Sequence, residues 1–242
     1  MEIKRKNMIL SHEPQLAWFL WSLSFLAIWV VVYILLKKES RKEMLLVSLW
    51  TSLTGFTEPL FVPEYWNPPS LFDLAHRTGF DLESFIFAFA VGGIAVVIYE
   101  RIFHASHEQI KSHEQHLPHH RHHLLSLLSM PIIFLTLIAI SPLNPIYSAI
   151  IAMAIGGLFS WYCRPDLKKK MITSALLFLG LYILFFFSLI ILFPDYVEQV
   201  WNLGAISGIL ITGIPLEELL FALSFGFMWS SVYEHIMWKR LK

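Results

Sequence analysis

Four glutamates lie beside prolines or near the starts of long apolar segments, where ionisable side chains are rare. They are Glu58, Glu83, Glu217 and Glu218. An ionisable residue in an apolar span is costly, so it is a functional candidate by default. Carboxyls close together in a low dielectric do not all ionise, so one protonated acid is expected, able to pass a proton to a weak base. The structural alternative is an acid in a first helical turn that complements the helix dipole.

Aromatic side chains flank these acids and could form a pocket around them. Aromatic faces attract cations, so such a pocket could shelter a carbocation. The alternative is ordinary membrane packing, in a chain with 15% aromatic residues. The candidate substrate-binding residues are Phe56, Trp66, Phe87, Phe221, Phe225 and Trp229.

Two of the acid-bearing segments are copies of each other. GFDLESFIFAFAVGGIAVVIYE at Gly79–Glu100 recurs without gaps as GIPLEELLFALSFGFMWSSVYE at Gly213–Glu234. A duplicated unit of this size organises a whole architecture. Shorter echoes pair RKEM at Arg41–Met44 with KKKM at Lys168–Met171, and PEY at Pro63–Tyr65 with PDY at Pro194–Tyr196.

The composition indicates an integral membrane protein. Hydrophobic residues make up 56% of the chain and charged residues only 15%, against about 25% charged in soluble domains. The net charge is zero, so nothing suggests a nucleic-acid partner. The single cysteine, Cys163, excludes an intramolecular disulfide and a metal cluster built on cysteines.

Seven apolar segments are candidate membrane spans, since a bilayer-crossing helix needs about 20 apolar residues. The fourth and fifth are short, and the alternative is that they form one broken re-entrant pair. The predicted spans are Gln15–Leu36, Met44–Phe61, Phe80–Phe103, Leu124–Ile140, Ile146–Tyr162, Met171–Phe193 and Ile214–Met237.

Most of the 18 lysines and arginines fall on one side of these seven spans. The positive-inside rule therefore predicts an integral cell-membrane protein with its N-terminus outside and its C-terminus in the cytoplasm. The basic Lys4, Arg5 and Lys6 argue against that orientation. The four candidate acids are expected at one level in the outer part of the membrane. Glu100 and Glu234, at the opposite level beside basic loops, are interpreted as interfacial partners of lysine and arginine.

The fold class that follows is all-α, with seven transmembrane helices in a 3+1+3 parallel internal repeat. Residues 1–103 form the first three-helix repeat, and residues 142–242 form the second. Residues 104–141 supply a connector and a linker helix, which gives both repeats the same orientation. The SWEET-type transporters share this architecture, a likeness that concerns the fold alone.

A histidine-rich segment, His104–His123, lies on the side opposite the acids and carries most of the 11 histidines. It is interpreted as a polar, partly helical connector that the chemistry does not need. Histidine-rich tracts can also bind metal. In that alternative the ligands are His104, His107, His113 and His116.

The run Pro215-Leu216-Glu217-Glu218, followed by Leu-Leu-Phe, resembles the P-x-E-[ED] signature of the lycopene cyclase domain family, the small membrane-integral type. The tandem three-span repeat is similar to that family's paired subunits fused into one chain. The resemblance places Glu217 and Glu218 at the signature acids. The first copy departs from the signature, since Asp81-Leu82-Glu83-Ser84 has no proline and a single glutamate.

The resemblance implies a carotenoid cyclase, an intramolecular lyase or isomerase without net redox change. An acid protonates the terminal double bond of lycopene or a related carotenoid, the neighbouring double bond attacks the cation, and a base removes a ring proton. Glu217 and Glu218 would carry these steps, with Glu83 and Glu58 shaping their protonation. No cofactor is implied, neither metal nor nucleotide. The expected partners are a lipophilic polyene substrate and the lipid bilayer, and a homo-oligomer stays open.

Two other functions fit parts of the sequence. In a proton-coupled transporter of SWEET-like architecture the same acids would form a proton relay. A retinal protein would also have seven spans, but Ile214–Met237 contains no lysine for a Schiff base.

The charge pattern predicts that the loops Lys37–Lys42 and Arg164–Lys170 lie on the same, cytoplasmic side of the membrane. We expect accessibility tags in these two loops to be labelled only after the membrane is permeabilised. A tag in the loop around Arg77 serves as the control and is expected to react in intact cells. Labelling of the two basic loops from opposite sides would contradict the predicted topology.

Overall fold

The computed structural model describes residues 14–242, which are predominantly helical. The α-helices in this part of the chain are α1 (Pro14–Leu35), α2 (Lys38–Ser52), α3 (Leu74–Thr78), α4 (Leu82–Phe103), α5 (His123–Ile140), α6 (Pro145–Cys163), α7 (Lys168–Leu192), α8 (Tyr196–Val200), α9 (Leu216–Trp229) and α10 (Val232–Met237). The 3₁₀ helices are Leu53–Leu60, Leu71–Asp73, Glu114–His116, Pro118–His120, Pro165–Leu167 and Leu203–Ala205.

Four short strands complete the described secondary structure, and they form two antiparallel pairs. Strand β1 (His107–Gln109) pairs with β4 (Lys239–Leu241), so the connector after α4 is joined to the C-terminal segment. Strand β2 (Leu210–Ile211) pairs with β3 (Ile214–Pro215), directly before α9.

Five of the described helices are long and apolar enough to cross a membrane, namely α1, α4, α5, α6 and α7. The predicted all-helical class and membrane character are therefore confirmed. Helices α5 and α6 are separate, each long enough to cross a membrane, and they pack against each other.

The other two predicted spans are interrupted. Helix α2 passes into the 3₁₀ helix Leu53–Leu60, which contains Pro59, and proline removes a backbone donor from a helix. The seventh span divides into α9 and α10 at Ser230 and Ser231, whose hydroxyls donate to backbone carbonyls of the preceding turn. The seven-span 3+1+3 arrangement stays a prediction. Lys4, Arg5 and Lys6, which argue against the predicted orientation, lie outside the described residues.

The same helix pairs meet in the two halves of the chain. In the first half α4 packs against α1 and α2, and in the second half α9 packs against α6 and α7. Helices α4 and α9 also contact each other, so the two copied segments lie at the centre of the bundle.

Two glycines at matching positions of the copied segments set these close approaches. A Cβ on Gly92 of α4 would lie 2.1 Å from the Thr51 hydroxyl of α2. A Cβ on Gly226 of α9 would lie 3.0 Å from the Ala175 backbone and the Phe178 side chain of α7. Small residues let helix backbones approach closely inside membranes. Each copied segment therefore uses glycine to pack against the second helix of its own half.

A buried ionic cluster joins the two halves at the ends of α4 and α9–α10. The Lys170 ammonium group lies 2.5 Å from carboxylate oxygens of both Glu100 and Glu234. Glu43 is also buried here, with its carboxylate 3.8 Å from the Lys170 ammonium group and 3.5 Å from His107 Nε2. The glutamates thus pair with a lysine, as the sequence indicated, but in the protein interior rather than at the membrane interface.

The histidine-rich connector is bound to this cluster through His107, whose Nε2 lies 2.9 Å from Glu234. The connector contains strand β1 and the 3₁₀ helices Glu114–His116 and Pro118–His120. Arg164, fully buried at the end of α6, donates to the backbone carbonyls of Glu234 and Lys239 and holds the C-terminal segment in place.

We predict that Lys170→Met lowers the free energy of unfolding by about 3–5 kcal/mol, because it leaves Glu100 and Glu234 buried without their cation. Glu43→Gln is the matched control, since neither Glu43 oxygen makes a hydrogen bond to the described residues. Glutamine keeps the side-chain shape and removes a carboxyl that makes no hydrogen bond there, so we expect stability equal to or above that of the parent. Thermal unfolding of each purified variant in detergent measures its stability relative to the parent. Equal destabilisation by the two substitutions would contradict the assignment of Lys170 as the central counter-ion.

Candidate active site

A large apolar cavity lies between the two halves of the chain. Its volume is about 710 Å³, and α1, α2, α4, α5, α6, α7 and α9 all contribute to its walls. Glu58 and Glu218 are the acidic residues among its described lining. The cavity thus presents two carboxyls to an otherwise apolar interior.

The cavity is elongated along the bundle. Ile146 and Ser160, near opposite ends of the uninterrupted helix α6, both line it. At the helical rise of 1.5 Å per residue these positions are roughly 21 Å apart. A rod-shaped apolar molecule is the ligand shape that such a cavity accommodates.

One side of the cavity is formed by α5, which is largely exposed on its outer surface. Leu124, Leu128 and Leu135 line the cavity and are also 67%, 45% and 62% exposed. Leu60, on the facing 3₁₀ helix, lines the cavity and is 37% exposed. The wall between α5 and this 3₁₀ helix is therefore thin and faces the lipid side of the bundle.

Glu218 is held by three hydrogen-bond donors from other parts of the chain. The hydroxyls of Tyr65 and Tyr182 each donate over 2.6 Å, one to each carboxylate oxygen. The Trp201 indole N–H donates over 2.9 Å to the same oxygen as Tyr65. Three converging donors are the arrangement of an ionised carboxylate, which accepts only. They fix the position of Glu218 at one end of the cavity.

Glu58 has a different environment. It is buried in the 3₁₀ helix that contains Pro59, close to the side chains of Ser84 and Trp66. Its Oε1 atom makes no hydrogen bond to any of the described residues. An oxygen without a partner in an apolar cavity suits a protonated acid whose O–H can reach a ligand.

Glu217 and Glu83, which occupy matching positions of the copied segments, face away from the cavity. Glu217 accepts from the Tyr147 hydroxyl at 2.6 Å and from the backbone N–H of Ser207 at 3.0 Å. Glu83 accepts from the backbone N–H of Leu71 at 2.8 Å. In both halves this glutamate therefore binds the loop that precedes the copied helix.

Aromatic rings continue the cavity wall along α9. Phe221 stacks on Phe225 at 5.5 Å between ring centroids, and Phe225 stacks on Trp229 at 5.2 Å. The Trp229 indole donates to the Thr51 hydroxyl at 2.9 Å, which anchors the end of the stack to α2. Spacing of four residues places the three rings on one helix face, so their π-surfaces follow the cavity.

Tyrosines from the echoed PEY and PDY motifs cross between the halves. Tyr65 of the first half donates to Glu218 of the second. Tyr196 of the second half is buried near Asp81 and Glu83 of the first, and its hydroxyl makes no hydrogen bond to the described residues. Burial raises the pKa of Tyr196, and the negative charges of Glu83 and Asp81 raise it further. The two halves of the chain thus have matching frameworks but different chemistry.

The structure places the sequence-predicted aromatic residues as follows. Phe56 is 60% exposed and packs on Phe80 and Phe85 instead of lining the cavity. The other five line the cavity: Trp66, Phe87, Phe221, Phe225 and Trp229.

Several residues of the site were not among the candidates. Tyr65, Tyr182 and Trp201 surround Glu218, although only Tyr65 carried a signal, as part of the PEY echo. Tyr182 and Trp201 lie in apolar runs where nothing in the spacing distinguishes them from packing residues. Asp81, buried at the start of α4, accepts from Ser84 at 2.6 Å and is the N-cap of that helix.

The proposed histidine ligands do not come together. His104, His113 and His116 are exposed, whereas the His107 side chain is 3% exposed in the ionic cluster. Two groups of residues in the described part have potential metal-ligating atoms within 4.8 Å of one another. One is Glu43, Glu100, His107 and Glu234, and the other is His120, His123 and Cys163.

The helical fold and the acid-bearing apolar cavity define a membrane protein suited to a lipophilic ligand. A family model described as Lycopene cyclase matches residues 144–236. This match confirms the resemblance to the lycopene cyclase family that the PLEE motif and the copied segments indicated. The matched part includes Glu217 and Glu218. The match supports a carotenoid cyclase in general terms.

No curated protein and no solved structure matches the chain.

Proposed function

We propose that this protein is a membrane carotenoid cyclase that closes rings at the linear ends of lycopene or a related carotenoid. The observation that carries the proposal is the elongated apolar cavity with Glu218 and Glu58 in its wall, part of which lies in the segment that matches the lycopene cyclase family. The reaction is an isomerisation without net redox change, in the class of intramolecular lyases or isomerases.

The substrate enters from the lipid phase through the thin wall between α5 and the 3₁₀ helix Leu53–Leu60. A polyene dissolved in the bilayer reaches this wall without passing through water. Exposed leucines on α5 that also line the cavity support this route. The roughly 21 Å length of the cavity accommodates an extended polyene segment with one end at the carboxyls.

Glu58 donates the proton and Glu218 receives one back. The Glu58 O–H adds its proton to the terminal double bond, which leaves a tertiary carbocation. The neighbouring double bond attacks this centre and forms the ring, moving the positive charge into it. Glu218 then removes a ring proton, and the electrons of that C–H bond form the ring double bond. One proton is gained and one is lost, so atoms and charge balance.

The aromatic wall stabilises the cationic intermediate. The stacked faces of Phe221, Phe225 and Trp229 present negative π-density to the cavity, and cation–π attraction increases when water is excluded. The Glu218 carboxylate adds electrostatic stabilisation where charge develops, in a preorganised site.

Glu217 and Glu83 position the loops that close the outer end of the cavity. This division differs from the sequence-based expectation, which gave the proton chemistry to Glu217 and Glu218 together. The hydrogen bonds of Glu217 to Tyr147 and Ser207, and of Glu83 to Leu71, support positioning roles for both.

The architecture we propose is the 3+1+3 repeat of seven spans with its N-terminus outside and its C-terminus in the cytoplasm. The matching helix contacts in the two halves support the repeat, and so do the equivalent packing positions of Gly92 and Gly226. The charge distribution supports the orientation.

We predict that Glu218→Gln and Glu58→Gln each lower cyclisation at least about 10²-fold, because each removes one proton-transfer group and keeps the side-chain shape. Glu217→Gln and Glu83→Gln are the matched controls, with an expected loss of less than about tenfold, since glutamine can still accept the loop hydrogen bonds. The measurement is cyclic carotenoid formed from lycopene in membranes at equal protein level. In D₂O each new ring is expected to carry one deuterium.

Near-normal activity of both Glu58→Gln and Glu218→Gln would overturn the assignment of the acids. If Glu217→Gln instead abolishes turnover while Glu58→Gln does not, the proton chemistry belongs to the Glu217–Glu218 pair. Absence of any cyclic product from the parent in well-inserted form would overturn the proposed function itself.

A further inference from the structure

The second group of potential metal ligands lies at the end of the cavity opposite Glu218. His120 ends the 3₁₀ helix Pro118–His120, His123 begins α5, and Cys163 ends α6. Cys163 Sγ lies 3.5 Å from Nδ1 of both His120 and His123. Two parts of the chain about 40 residues apart therefore bring one thiol and two imidazoles to one point.

The distances fit a tetrahedral metal. Zinc binds thiolate sulfur at about 2.3 Å and imidazole nitrogen at about 2.0–2.1 Å, which at a tetrahedral angle separates sulfur and nitrogen by about 3.5 Å. Both sulfur–nitrogen distances have this value. A thiolate with imidazoles is a ligand set typical of zinc and related transition metals, rather than of calcium or magnesium.

His235 provides a second, independent observation. Its side chain is fully buried in α10, and neither ring nitrogen makes a hydrogen bond to the described residues. Its ring centroid lies 4.4 Å from that of His123. Buried polar groups without partners are rare in proteins and call for a ligand or an ion.

The surroundings hold the imidazoles in place. The ring of Trp238 stacks on His123 at 3.8 Å between centroids and meets His120 edge-on at 5.0 Å. The His123 ring is also in hydrogen-bonding contact with the backbone of His235. Metal-bound histidines are commonly oriented by such a contact to a backbone group.

The other metal-capable group, Glu43, Glu100, His107 and Glu234, is less suited to a metal. The Lys170 ammonium group already lies 2.5 Å from two of its carboxylates and acts as their cation.

We propose that His120, His123 and Cys163 bind one zinc-type transition-metal ion, with Cys163 as the thiolate and the buried imidazole of His235 beside the site. The ion has a structural role, because Glu218 and Glu58 are at the other end of the cavity. It joins the connector, α5 and α6 at the end of the cavity that is lined by Leu124, Ser160 and Ile236. Binding releases the Cys163 proton, and it stabilises the folded chain because the unfolded chain holds no preformed site.

The test is the metal content of the full chain, purified in detergent without a histidine tag. We expect about one zinc per parent chain and below about a tenth of that in Cys163→Ser. The matched control is His113→Gln combined with His116→Gln. It removes exposed histidines of the same segment and is expected to retain the metal. Reconstitution with Co²⁺ is expected to give a thiolate-to-cobalt charge-transfer band in the parent.

Cys163→His keeps a ligand at this position, so it is expected to retain the metal and to lose the charge-transfer band even if Cys163→Ser is poorly folded. Zinc content that is unchanged in Cys163→Ser but lost in Glu43→Gln would place the metal in the ionic cluster and overturn the proposal. Loss of zinc from the His113/His116 control would also overturn the proposal, because it would show adventitious binding to the exposed histidines. A folded parent that contains only background zinc would overturn it as well.

Discussion

The shared salt bridge of Lys170 with Glu100 and Glu234 is the interaction on which the architecture depends. Charges buried in a low-dielectric interior are stable only when paired, so these three side chains must stay together. Because Glu100 ends α4 and Glu234 lies in α10, their common cation fixes the two halves relative to each other. The cavity lies between those halves.

The other end of the cavity is fixed by hydrogen bonds that cross between the halves. Tyr65 reaches Glu218 from the first half, while Tyr182 and Trp201 reach it from the second. At the matching place in the first half, Ser84 occupies the position of Glu218 and bonds to Asp81. The carboxylate at this position is therefore present in the second copy and absent from the first. The second acid of the cavity, Glu58, lies in the 3₁₀ helix Leu53–Leu60, which has no acidic counterpart in the other half.

Much of the fold could be predicted because membrane helices follow from local composition. The apolar runs that became α1 and α4 to α7 were recognisable, since backbone groups in lipid must bond within their own segment. The interruptions at Leu53–Leu60 and at Ser230–Ser231 were harder to predict. They depend on Pro59, which removes a backbone donor, and on the hydroxyls of Ser230 and Ser231, which donate to backbone carbonyls of the preceding turn.

The sequence by itself determined the resemblance to the lycopene cyclase family, the helical class, the copied segments and the presence of acids in apolar surroundings. Only the tertiary structure decided which acids share the cavity. Glu217 and Glu218 are adjacent in sequence, but successive helical positions point about 100° apart, so one faces the loop and the other the cavity. The donors of Glu218 and the ligands around Cys163 come from segments far apart in the chain. No local sequence pattern identifies these contacts, because they form only when the whole bundle packs.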